Sequence, residues 1–446
     1  KVKLMTRYDK ITIEEKKSKI KGMMDTMSYS EMVIDLIQTG ELDQVDEYIQ
    51  LALMEDDQEM VYLLGNSLYQ LGFLDETREV YNYLIDVNPE DDDLKIYLAE
   101  IEIEEGNDLD ALEILHQINE SSPAYPQALM VEADYYMIND LPEVSLQKLD
   151  EADSLLPNEP VILFALAEVY YTISDFQNAL HHYETLAQDG HKDIAGTSIQ
   201  GRLGESYLMT GDYEEAVYHL KEALNFKDDP QIYFQLGFAY TAQEEYERAI
   251  DSLKQAKELD PNYMGVYLLL SESYENLQDF SKALEILEEA MNINEMDTDL
   301  YIKAGEVATK AREYERANNY YEKALTLEPD NDRIVVKYAR YLRHVDDYEA
   351  IVNLYEDSTE AVQEDPEASW LLAEANNEIE NYDKARDYFD KAYRYFDNDF
   401  TFLKDYAMFL RADGQREKML EVLEKYLKLN PNPDNEIQSL IDNLNH

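Results

Sequence analysis

A small residue recurs along this chain at a near-constant interval: Gly65, Ala99, Ala133, Ala167, Gly204, Gly237, Ser271, Gly305, Ala339, Ala373 and Ala407. Eight of the ten steps are 34 residues. Twelve residues after each comes a second register, small at Thr77, Ala111, Ser145, Ala179, Ala216, Ala249, Ala283, Ala317 and Ala385 but large at Ile351 and Met419. Two antiparallel helices pack closely only where one presents almost no side chain to the other. The spacing therefore predicts a row of helix hairpins, each locked by its own small residues. An array of this kind grows lengthwise, so 446 residues need no single large core.

The rest of the composition agrees with an all-α chain. Glycine and proline are scarce, at 14 and 12. Prolines close six of the repeats, at Pro89, Pro123, Pro157, Pro261, Pro329 and Pro431, because proline cannot continue a helix and can open the next one. There are no cysteines, which excludes disulfides, thiolate metal sites and a cysteine nucleophile and points to an intracellular address. No apolar run approaches the ~20 residues of a membrane span. The best candidate, Val161 to Ile173, carries Glu168 in its middle.

Tyr233-x2-Leu236-Gly237-x2-Tyr240, followed by Ala249-x3-Leu253, Ala256 and Pro261, resembles the tetratricopeptide repeat, TPR. The resemblance covers residues 58–433 and implies an all-α, right-handed superhelical solenoid of eleven repeats. Repeats one to four would occupy 58–193, and repeats five to eleven 194–433. Between them one step stretches to 37 residues, with the surplus in 188–198 around Gly190 and Gly196, either as a hinge or as a tolerated surface loop. A divergent first hairpin is expected over 25–57, with helices near Tyr29 to Gln38 and Leu42 to Met54 around the Thr39-Gly40 break. Residues 434–446 read as a capping helix whose Ile437, Leu440, Ile441 and Leu444 share one face. Residues 1–24 read as a basic tail outside the fold. The whole chain is also similar to the acidic, many-repeat YpiA-type TPR proteins of Gram-positive bacteria, which implies a cytoplasmic protein and no established activity.

The formal charge is −59, from 97 acidic and 38 basic residues. Such a surface repels nucleic acid and anionic membrane and suits basic or amphipathic protein partners; general salt adaptation would produce the same balance. Residues 1–22 depart from it, with eight basic residues against three acidic ones. None of the seven histidines falls in a metal-binding spacing, and His181 and His182 would point about 100° apart on a helix. Asp91-Asp92-Asp93 and Asp330-Asn331-Asp332 lack the glycine and closing glutamate of a calcium loop and sit where helices need caps. With no phosphate loop and no nucleophile constellation, no enzyme activity, cofactor or metal is expected.

The resemblance implies a concave groove lined by the first helix of each hairpin at repeat positions 2, 5, 9 and 12. In this sequence those positions supply Tyr62, Asn66, Tyr69, Ile96, Glu100, Ile103, Met130, Asp134, Met137, Phe164, Glu168, Tyr171, Glu205, Phe234 and Phe238. An apolar stripe with a carboxylate ladder beside it would hold a segment carrying apolar anchors and Lys or Arg. Arg333, Arg340 and Arg343 reverse the sign in the ninth repeat, as an anion site or, for Arg340, through internal pairing with Glu306 and Glu374. TPR co-chaperones that grip a terminal carboxylate need a set of Lys, Asn and Arg that, in the first three repeats, only Asn66 matches. The expected function is a non-catalytic scaffold or adaptor. The alternatives are a regulatory sensor of a short peptide, or a homo-oligomer, which the polar capping helix disfavours.

Overall fold

In three of the hairpins the absence of a side chain is what sets the closest approach. A Cβ at Gly65 would stand 2.5 Å from the Tyr81 ring, one at Gly237 2.5 Å from Leu253, and one at Gly305 2.8 Å from Tyr321. Each neighbour lies sixteen residues downstream, on the second helix of the same hairpin, and is buried. Where the first register is alanine the same sixteen-residue partner is buried too, as with Tyr183, Phe389 and Leu423. The second register is buried throughout, and Ile351 and Met419 fill the two places where a small residue is missing.

The structure, a computed structural model, describes residues 27–356, 365–430 and 437–440. The chain divides after Asp212 into two compact units. In the first, α1 (Tyr29–Thr39) pairs with α2 (Val45–Glu55), α3 (Gln58–Gln70) with α4 (Leu74–Val87), and α5 (Asp92–Glu104) with α6 (Asp108–Leu115). Next, α7 (Tyr125–Ile138) pairs with α8 (Pro142–Leu155) and α9 (Pro160–Thr172) with α10 (Phe176–Gln188), before α11 (Ile199–Thr210). The second unit opens on α12 (Tyr213–Leu224) and continues through the hairpins α13 (Pro230–Ala242) with α14 (Tyr246–Leu259), and α15 (Met264–Asn276) with α16 (Phe280–Ile293). It goes on through α17 (Thr298–Lys310) with α18 (Tyr314–Leu327), α19 (Asp332–His344) with α20 (Tyr348–Glu356), α21 (Pro366–Glu378) with α22 (Tyr382–Phe396), and α23 (Phe400–Ala412) with α24 (Arg416–Leu429). This is the all-α TPR solenoid that the register predicts.

The divergent first hairpin is present, and Gly40 ends α1 in the left-handed conformation at φ 77°. Ile437 and Leu440 are buried against the core that contains Phe402 and Leu423, as a cap requires. Ile441, Leu444 and the basic tail 1–24 lie outside the described residues. The insertion folds as a small antiparallel ladder, β1 (Asp193–Ile194) with β2 (Thr197–Ser198), around Ala195 and Gly196 at positive φ. Ile194 is buried in one cluster with Leu186 of α10 and Ile199 and Leu203 of α11, which pins the insertion to both flanking helices.

Some of the acidic residues serve the helix ends. The side chains of Asp57, Asp91, Asp175, Asp229, Asp279, Asp297, Asn331, Asp365 and Asp399 each accept a backbone N–H in the first turn of a helix. There a carboxylate also meets the positive end of the helix dipole. A second regularity lies in the turn within each hairpin, where one residue per repeat is left-handed: Gly72, Gly106, Gly211 and Gly414, but also Asp140, Ser174, Glu244, Gln278, Arg312, Asp346 and Glu380. A side chain there costs about 1–2 kcal/mol, partly offset by the roughly 0.5–1 kcal/mol of chain entropy that glycine loses on folding. Glu244→Gly is therefore expected to stabilise the protein by about 0.5–1 kcal/mol in a urea titration, with no change in the unfolding slope.

Candidate partner-binding groove

The first helices of α3, α5, α7 and α9 bring Tyr62, Tyr69, Glu100, Ile103, Met130, Asp134, Met137, Phe164 and Tyr171 to accessible or half-buried positions. Ile96 departs from the expectation: it is 0% exposed. Its hairpin partner α6 ends after eight residues. Ile118, Ala128 and Val131 then join Ile96 in one buried cluster and take it out of the groove. Asn66 is accessible but committed, since its Oδ1 accepts the hydroxyl of buried Tyr81 at 2.8 Å. Phe234 and Phe238 belong to the second unit, where Phe234 packs at 4.9 Å on Tyr263 and Phe238 is 44% exposed.

The carboxylate ladder divides into two kinds. Glu168 accepts the hydroxyl of Tyr183, whose side chain is fully buried, and also the guanidinium of Arg202. Arg202 donates in turn to Glu205 at 2.9 Å and lies 5.5 Å from the centre of the Tyr171 ring. Glu168 and Glu205 are thus held internally, contrary to the expectation of an open ladder. The repeat step here is 37 residues, so Glu205 is the equivalent of Glu168, and Arg202 lies three residues, about one helical turn, before Glu205, from where its guanidinium reaches both carboxylates.

Glu100 and Asp134 are different. Among the described residues neither receives a hydrogen bond or an ion pair, and Glu104 beside them receives only the Tyr69 hydroxyl, at 3.3 Å. Loss of hydration raises both carboxyls above the ordinary carboxylate range, and for Glu100 the charges of Asp134 and Glu104 raise it further. Asp134 is exposed at its surface yet still feels this, because the first helices packed on either side displace bulk water from around a group without covering it. Glu100 and Asp134 are thus two uncompensated carboxylates, with Met130 and Met137 one turn to either side of Asp134 and Tyr69 near Glu100.

The three arginines of α19 are all taken. Arg333 pairs with Asp299, Arg340 Nη2 donates to Glu367 at 2.7 Å, and Arg343 Nη2 to Glu374 at 2.7 Å. The expected pairing of Arg340 with Glu306 and Glu374 does not occur; Lys337 occupies Glu306. Arg340 reaches forward to repeat position 2 of the next hairpin, which leaves Glu374 to Arg343. An anion site built on these three would have to break existing ion pairs. The described residues contain no group of three or more metal-ligating side chains, and no helix among them is long and apolar enough to cross a membrane.

Family models described as "YpiA-like, C-terminal tetratricopeptide repeats" and "YpiA-like, tetratricopeptide repeats" match residues 366–433 and 138–191. General TPR models match 62–128, 204–243, 230–263, 265–295 and 298–331. The TPR repeat-containing protein YpiA of Bacillus subtilis (strain 168) is 31% identical over 396 residues, covering 89% of this chain and 93% of that protein. The chain belongs to the YpiA family of tetratricopeptide-repeat proteins. Among solved structures, the C-terminal part of a TPR protein from Cytophaga hutchinsonii overlaps 54% of this YpiA-family chain and 98% of its own, at 17% identity and a TM-score of 0.47. MamA from Desulfovibrio magneticus RS-1 overlaps 39% and 96%, at 20% identity and a TM-score of 0.36. Neither overlap bears on function. TPR proteins in general are frames for binding other proteins, and family membership puts this chain among them without naming a partner.

The sequence reading missed Arg202 and the role of Tyr183. The available signals were Arg202 one helical turn before Glu205 and Tyr183 sixteen residues after Ala167.

Proposed function

We propose that this YpiA-family chain is a cytoplasmic, non-catalytic scaffold that holds a basic, amphipathic segment of another protein along α3, α5, α7 and α9. Glu100 and Asp134 take the segment's Lys or Arg; Tyr69, Ile103, Met130, Met137, Phe164 and Tyr171 take its apolar side chains. The observation that carries this reading is the pair of uncompensated carboxylates, in a protein where neighbouring acidic residues have found internal cations. The net charge of −59 supports it by drawing cationic segments in and turning nucleic acid away.

Met137 replaced by a photo-crosslinking amino acid gives the direct test in living cells. A basic segment of one distinct protein should be captured, less of it as salt rises in lysates, because the contacts are screened. Capture of a second copy of this chain alone would instead make it a self-assembling protein. Binding should also depend on pH. The free carboxyls of Glu100 and Asp134 hold their protons to a higher pH than usual, and a bound cation favours the ionised form. Affinity for the captured segment should therefore rise from pH 5 to pH 7.5, with protons released on binding at the acid end, as titration calorimetry would record.

A further inference from the structure

The second unit shows how a first helix of this solenoid takes up cations. On α17 and α21 two carboxylates stand seven residues apart, Asp299 with Glu306 and Glu367 with Glu374. They hold the same places in the repeat, six residues before and one after the small residues Gly305 and Ala373. A spacing of seven sets both carboxylates on one face, two turns apart. All four are met by the helix between them, α19. Arg333 and Lys337, four residues apart, pair with Asp299 and Glu306; Arg340 and Arg343, three apart, pair with Glu367 and Glu374. Residues three or four apart share a helix face, and their long side chains splay to reach acceptors two turns apart.

Asp93 and Glu100 repeat this arrangement on α5, placed in the same way about Ala99. Here no helix answers. The first helices before and after it, α3 and α7, contain no Lys or Arg. Lys95 of α5 itself is buried and pairs with Asp92 at 2.8 Å, while Arg78 and Lys148 of the second helices α4 and α8 are engaged with Glu102 and Glu132. Among the described residues exposed Asp93, like Glu100, receives no hydrogen bond or ion pair. Beside this row Met130 and Met137 stand two turns apart on α7, and methionine adapts its shape to an apolar face laid on it. We propose that the segment held in this groove is an amphipathic α-helix. Two of its Lys or Arg, three or four residues apart, bridge Asp93 and Glu100 as α19 bridges the pairs on its two neighbours. An apolar row beside those cations lies on Met130, Met137 and Ile103. The proposal rests on the function proposed above and adds to it the partner's conformation and the spacing of its cations.

Three capped, dye-labelled alanine-based peptides of sixteen residues, titrated against the full-length protein, test this. The first carries arginine at positions 3, 7 and 10 and leucine at 4, 8 and 11. The second has the same composition with its arginines spread around the helix, and the third has proline in place of alanine at position 9, which breaks the helix. Fluorescence anisotropy should show the first binding at least tenfold more tightly than either of the others, and circular dichroism should show helix gained on binding. Asp93→Lys changes an exposed residue and should leave the protein's own helicity intact while weakening the first peptide tenfold or more. A copy of that peptide with glutamate for one terminal arginine of the row should recover most of the loss on this variant. Equal binding of the proline peptide or of the spread peptide would overturn the proposal and leave the groove as a site for basic segments without a fixed helix. Wild-type affinity in Asp93→Lys would overturn it by removing α5 from the contact. Binding by none of the three would take the proposed function down with it.

Discussion

Glu168→Lys should lower the stability of the first unit by about 3 kcal/mol, the upper range for losing hydrogen bonds to a charged group, and more if the new ammonium is forced against Arg202. The carboxylate is the acceptor for two side chains at once. Without it the Tyr183 hydroxyl stays buried with no acceptor, and Arg202 keeps only Glu205. Glu168→Gln retains an oxygen for Tyr183 and gives up only the charge, so its loss should be nearer 1 kcal/mol. Thermal unfolding followed by circular dichroism separates the two. If Glu168→Lys melts with the wild type, the internal role of this carboxylate is wrong, and the whole ladder would again be open to a partner.

The Glu100→Lys, Asp134→Lys double variant should do the opposite: binding of a basic segment falls on the order of 10²–10³-fold, about 3–4 kcal/mol, while the fold survives. Neither side chain supports another residue, and their mutual repulsion is removed. The sign follows from the raised carboxyls of Glu100 and Asp134. A carboxylate whose folded value lies above its unfolded one disfavours the folded state once ionised, so the stability it permits at low pH is lost as pH rises through the raised value. Glu100→Gln with Asp134→Asn should accordingly be more stable than wild type at pH 7 and equal to it near pH 4, in urea titrations at the two pH values. Equal stability at pH 7 would mean that solvent or an unseen cation already neutralises the pair.

The repeat and its hairpins were legible because their cause is local and periodic. A missing Cβ at Gly237 or Gly305 is a property of one residue, and its 34-residue spacing needs no knowledge of what lies opposite. The first hairpin was legible for the same reason: Gly40 ends one helix whatever surrounds it. The groove was legible only as a face. Repeat position told which side chains share it, but it placed Ile96 there although the short α6 lets the next hairpin close over it.

The charges were the least legible part. Glu100, Asp134, Glu168 and Glu205 hold equivalent positions and look alike in sequence, yet two are clamped by Arg202 and two are not. Arg340 likewise found Glu367, seven residues before the Glu374 expected for it, and Glu374 went to Arg343. A long flexible side chain settles on whichever partner lies nearest in space, and a shift of two helical turns along the facing helix redirects it. Backbone periodicity, fixed by small residues, turn glycines and helix caps, was therefore determined by the sequence itself. Which carboxylates remained uncompensated was decided by tertiary structure, because it depends on distances between neighbouring hairpins of a few ångströms, over which an ion pair either forms or does not.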